Sequence, residues 1–199
     1  MPTLDYTTAR AHVARIQQSL DAKVADIRVN KSLTEAGKRR EIAAVTLEAR
    51  KQADAAKAQF ATERAQRRES LNRAAFGNPA NHLTEADRLS MRDAHDRASR
   101  LDSEDAAKAM LNRAVLDGDE SLAKAIGARA YERGWGAVVN EYGTRYDRLS
   151  FIDELDETPT GPMTSTADAI VFRLRPPSEI QGYASDSDLE RLVSSEVTA

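Results

Sequence analysis

Few residues in this 199-residue chain have the types and spacing that chemistry needs. The three histidines, His12, His82 and His95, stand in separate segments, and none has a second histidine at metal-ligand spacing, so no zinc site is predicted. Asp153, Glu154, Asp156 and Glu157 crowd carboxylates that could gather a divalent cation. The calcium-loop spacing with its central glycine is missing, however, and a solvated acidic turn is the better reading. No phosphate-binding loop, dinucleotide glycine fingerprint or nucleophile elbow occurs. The absence of cysteine removes thiolate ligands, disulfides and a cysteine nucleophile, and fits a reducing compartment. No catalytic residue, cofactor or metal is expected, and the chain does not read as an enzyme.

A basic stripe is the other candidate for chemistry. Arg39, Arg40, Arg50, Arg64, Arg67 and Arg68 recur along one segment and could contact a nucleic-acid backbone without reading its sequence. Glu41, Glu48, Asp54, Glu63 and Glu69 are interspersed among them, and Phe60 is the only aromatic there. That mixture fits a salt-bridged helix face better than a phosphate track.

The element that carries the stripe is long. Between Gly37 and Gly77 lie thirty-nine residues without glycine or proline, rich in Ala, Arg, Glu, Lys and Gln. As a helix they span roughly 58 Å, more than a small local core can cover. A preceding helix is predicted from Asp5–Thr8 to about Asn30, with Val13, Ile16, Leu20, Val24 and Ile27 on one seam. A break at residues 31–34 follows, where Ser32 or Thr34 caps the next helix and Ser32 with Glu35 can form a capping box. The long helix continues the seam with Ile42, Val45, Ala49, Ala53, Ala56 and Phe60. Alanine knobs bury little apolar area, so this hairpin is expected to be marginal alone and to self-associate through the seam.

Phe76-Gly77-Asn78-Pro79 reads as a helix stop. Three helices are predicted between Thr84 and Gly134. The first carries Leu89, Ala94, Ala98 and Leu101. The second begins after Ser103 and stops at Asp117-Gly118. The third is capped by Asp119 and ends at Arg133-Gly134. A fourth helix with Trp135, Val138, Val139, Tyr142 and Tyr146 should hold the compact core. Residues 151–157 then form the acidic turn, 158–166 a loop, and Ala169–Leu174 a lone strand ended by Pro176-Pro177. A short amphipathic helix follows near 186–195. Ile170, Phe172, Leu174, Leu189, Leu192 and Val193 make this last segment a candidate partner-docking arm.

Charge is uneven along the chain. Residues 1–100 carry 19 basic against 13 acidic side chains and residues 101–199 carry 10 against 19, within a net charge of −3. Such opposite halves favour head-to-tail contacts between copies, or two different partners. There is no signal-peptide-like start and no apolar run of transmembrane length, so no membrane partner is expected.

The stretch Ala106–Tyr142, with Leu111-Asn112-Arg113-Ala114, Asp117-Gly118-Asp119-Glu120, Leu122-Ala123-Lys124-Ala125-Ile126 and Arg133-Gly134-Trp135, resembles small helical virion and assembly proteins of actinobacterial tailed phages and prophages. The resemblance implies a scaffolding, capsid-associated or head-to-tail component with capsid or portal proteins as partners, located in the virion or host cytoplasm, and no catalytic residues to carry over. Scaffolding tails that grip a capsid protein are often basic, whereas Asp186, Asp188, Glu190 and Glu196 make this tail acidic. The expected architecture is all-α. It comprises a helical hairpin or coiled-coil arm over 1–77, a small helical bundle over 83–148, and an extended C-terminal arm with one strand and a short helix over 149–199. The expected function is structural or assembly work through protein contacts, as a homo-oligomer. The alternatives are a cellular coiled-coil adaptor and a nucleic-acid packaging protein.

Overall fold

The computed structural model describes residues 6–77, 84–183 and 185–195. His82, Glu196 and the Asn78-Pro79 stop lie outside them. The described residues are all-helical: α1 (Tyr6–Val29), α2 (Glu35–Phe76), α3 (Glu85–Ser99), α4 (Glu104–Asp117), α5 (Glu120–Arg133), α6 (Gly136–Arg145), α7 (Leu149–Asp156), α8 (Pro162–Val171), a 3₁₀ turn at Ser178–Ile180, and α9 (Asp186–Ser194). They form two compact units, one of residues 1–64 with 160–199 and the other of residues 65–159. The boundary falls inside α2.

In the first unit the apolar seam residues of α1 and α2 meet in clusters that the C-terminal segment of the same chain completes. Ile16, Leu20 and Val24 of α1 and Ile42, Ala43, Leu47 and Ala49 of α2 share one buried cluster with Ile180 and Leu189 from the C-terminal segment. A second cluster joins Ala9, Val13, Phe60 and Phe172. Thr34 caps α2, its hydroxyl accepting the Gly37 amide at 3.0 Å, while Ser32 turns back to the Asn30 side chain. Of the two caps the sequence allowed, Thr34 is the one used, and the Ser32–Glu35 box does not form.

The strand expected at Ala169–Leu174 is absent, and no strand occurs among the described residues. Residues 162–171 are helical instead. Proline at the first helical position loses no hydrogen bond, since that amide has no intrahelical partner anyway. Gly161, at φ +116°, sets the entry in a conformation that only glycine adopts easily. The β-branched Ile170-Val171 pair sits in the last helical turn, and a short β-favouring window is a weak preference against tertiary anchoring. The stretch beyond residue 149 is not one extended arm either. Residues 151–156 of the acidic turn lie in α7, which belongs to the second unit, while residues 160–199 return to the first.

The second unit gathers Leu71, Ala75 and Phe76 of α2 with Leu111 and Ala114 of α4, Leu122 and Ile126 of α5, Val138 and Tyr142 of α6, and Ile152 and Leu155 of α7. Ser103 and Asp119 cap α4 and α5, and glycines at φ near +70°, Gly118 and Gly134, end them. The aromatic-bearing helix α6 does supply this core: Tyr142 is fully buried between Phe76 and Tyr146, with ring centroids at 5.7 and 5.2 Å.

Candidate functional site

Most of the arginines of α2 are bonded within the chain. In the first unit Arg40 donates to the Val193 carbonyl at 3.1 Å, and Arg50 pairs with Asp186 at 2.7 Å. Arg64 grips Asp168 with two nitrogens, at 2.9 and 2.6 Å, and its guanidinium stands 5.3 Å from the Phe60 ring centre. Tyr6 donates to the same carboxylate at 2.8 Å. In the second unit Arg67 bonds Glu154, with Nε at 2.8 Å, and Arg68 donates to the carbonyls of Leu155 and Thr158, both at 2.9 Å. Of the six stripe residues, Arg39 alone makes no side-chain hydrogen bond or ion pair with a described residue.

These bonds account for the charge asymmetry. In every described ion pair that is distant in sequence, the cation comes from residues 1–100 and the carboxylate from residues 101–199: Arg28–Glu179, Arg50–Asp186, Arg64–Asp168, Arg67–Glu154 and Arg97–Asp119. The opposite halves meet within one chain. The Arg64–Asp168 pair lies deepest, its side chains 11% and 5% exposed, and a bidentate guanidinium–carboxylate contact is the strongest geometry for such a pair. Hydrogen bonding from Arg64 and Tyr6 outweighs burial and holds the Asp168 carboxyl below its ordinary range. Hydrogen bonding from Arg28 brings Glu179 down to about 2. Burial is the main reason Tyr6 titrates above its usual value, with the Asp168 carboxylate adding to it.

The candidate docking arm is seated on its own chain. Phe172 and Leu189 are buried, Leu174, Leu192 and Val193 are half-buried, and only Ile170, at 72% exposure, is open to solvent. The candidate self-association seam is likewise covered within one chain. Val13, Ile16, Leu20, Val24, Ile42, Ala49, Ala53 and Phe60 are buried, and Ile27, Val45 and Ala56 are half-buried. His12 and His95 are exposed. Within the acidic turn, Glu154 accepts from Arg67 and Asp156 accepts from the Tyr131 hydroxyl at 2.6 Å. Among the described residues no group of three or more histidines and carboxylates is placed to hold a metal.

Alongside the arginines, α2 and residues 169–186 enclose a cleft of about 490 Å³. Its floor is Ala53, Phe172 and Ile180, all buried, and its rim carries Arg50, Lys57 and Arg173 with Asp54 and Asp186. Sequence reading missed Tyr6, Asp168, Glu179 and the cleft. The signal for the ion-paired residues was present in the opposed charge of the halves, but charge alone does not say whether the complement lies in the same chain. In comparisons with known proteins, no family model, no curated protein and no solved structure matches the chain.

Proposed function

We propose that this protein is a structural or assembly component that works through protein contacts, of the kind found in phage particles as scaffolding, capsid-associated or head-to-tail proteins. The observation that carries the reading is the first half of α3. Residues 85–90 are helical, fixed by a reciprocal capping box between Thr84 and Asp87, yet every one of them is exposed, Leu89 at 68%. Helical turns gain most of their stability from packing an apolar face, so a capped and uncovered turn bearing a leucine is a surface suited to a partner. The resemblance of Ala106–Tyr142 to phage assembly proteins names the class of partner. The nucleic-acid packaging alternative loses support because five of the six stripe arginines are already bonded within the chain.

The test is co-sedimentation of the purified chain with tailed-phage capsid and portal proteins, together with light scattering of the chain alone. The expected result is saturable co-sedimentation that Leu89→Glu weakens at least tenfold without loss of helicity. Self-association without affinity for either virion protein would favour the adaptor alternative. Affinity for DNA that falls steeply with salt would restore the packaging reading.

A further inference from the structure

We propose that the cleft between α2 and residues 169–186 binds an amphipathic organic monoanion, a carboxylate with an aliphatic or aromatic body. Its volume of about 490 Å³ lies within the ~300–1,000 Å³ of small-molecule sites. The floor is apolar and held from two directions: Ala53 belongs to α2, whereas Phe172 and Ile180 come from the returning segment, and all three are less than a tenth exposed. The rim holds three cations against two carboxylates, a surplus of one positive charge.

The rim cations differ in how they are occupied. Arg50 is tied to Asp186 at 2.7 Å, which fixes one end of the cleft. Among the described residues, neither the Lys57 ammonium nor the Arg173 guanidinium makes a hydrogen bond or ion pair, although the Lys57 field reaches Asp168 and helps lower it. A single carboxylate supplies what these two cations lack, while its carbon chain lies over the half-buried Leu174 and Tyr183 and the exposed Pro176 that line the cleft above the floor. A cation of the same shape meets the surplus positive charge. A bare phosphate leaves that apolar lining uncovered and faces Asp54 and Asp186. The ligand class that satisfies both rim and floor is therefore an apolar monocarboxylate.

Titrating the ¹⁵N-labelled full chain with octanoate tests this by amide chemical shifts. Saturable changes confined to residues 50–57 and 169–186 are expected. Lys57→Gln with Arg173→Gln should weaken binding about tenfold, the scale of a lost charge-assisted hydrogen bond. Asp54→Asn, which removes a competing carboxylate, should tighten it, an effect that unfolding could not produce. Octylamine, with the same body and the opposite charge, should bind more weakly. The proposal is overturned if octylamine matches octanoate, if the double variant binds unchanged, or if shifts spread to exposed leucines elsewhere, as non-specific detergency would give.

Discussion

At the scale of single residues, the buried Arg64–Asp168–Tyr6 group sets clear expectations. Truncating one partner leaves an uncompensated charge inside the fold, so Arg64→Ala should cost about 3 kcal/mol of the first unit's stability in urea denaturation. Replacing both charges, Arg64→Leu with Asp168→Leu, should recover most of that loss, because desolvation of an ion pair offsets much of its attraction. The acid response follows from the same chemistry. Asp168 and Glu179 have folded values below their unfolded ones, so the stability they contribute is present above the unfolded value and is lost as pH falls through the folded one. For Glu179 the window runs from its ordinary 4.5 down to about 2. Glu179→Gln should flatten the fall in melting temperature over that interval, and an unaltered slope would mean the Arg28 contact is not made in solution. In the second unit, alanine normally improves on glycine inside a helix by about 1 kcal/mol. At Gly127 the sign reverses, since a Cβ would sit 2.7 Å from the Tyr142 ring, which is fully buried and cannot retreat. At Gly143 the obstacle at 2.6 Å is the tip of Leu149, a half-buried side chain with somewhere to go. Gly127→Ala should therefore lower the melting temperature more than Gly143→Ala.

At the scale of elements, α8 is where local preference and tertiary context disagree. Ala169→Pro separates the two. An edge strand tolerates proline, whereas a helical position beyond the first turn loses a hydrogen bond and gains a clash with the preceding turn, together worth about 3 kcal/mol. Because Ala169 is exposed, the loss would come from the helix and not from its packing. A destabilisation of that size, with reduced helicity by circular dichroism, is expected. The other elements were legible in advance where their ends carry their own chemistry: Ser103, Asp119, Gly118 and Gly134 mark α4 and α5 in sequence and in structure alike. The heptad spacing of Val13 to Phe60 located the buried stripe correctly but could not say what covers it. Ile180 and Leu189, more than a hundred positions away, fill the space that alanine leaves, and no local pattern records such a distant complement. Asp168 was illegible for the same reason, because it reads as one more acidic residue until Arg64 is placed beside it.

At the scale of the whole molecule, the seam and the C-terminal segment share two buried clusters, so damage to either should appear in both. Ile42→Glu with Val45→Glu should speed hydrogen exchange across residues 6–60 and 172–193 together, while the amides around Leu111, Ile126 and Tyr142 keep their protection. The buried clusters of the first unit share no residue with that of the second, which is why the responses should part. Deleting residues 168–199 should likewise uncover Ile16, Leu20, Val24 and Ile42 and yield an aggregation-prone chain, not a well-behaved truncation. A monodisperse, fully helical truncated protein would show that the α1–α2 pair is self-sufficient.

The sequence order of the two units has a consequence for how the protein comes into being on the ribosome. Residues 65–159 are contiguous and can fold as soon as they emerge, but the first unit is interrupted and cannot close until Leu189 has been made. Ile42 is synthesised 147 residues earlier, and at about 5–20 residues per second its stripe waits, uncovered, for roughly 7–30 s. A chain stalled or terminated before Leu189 would present the cell with a completed second unit and an unfinished first one.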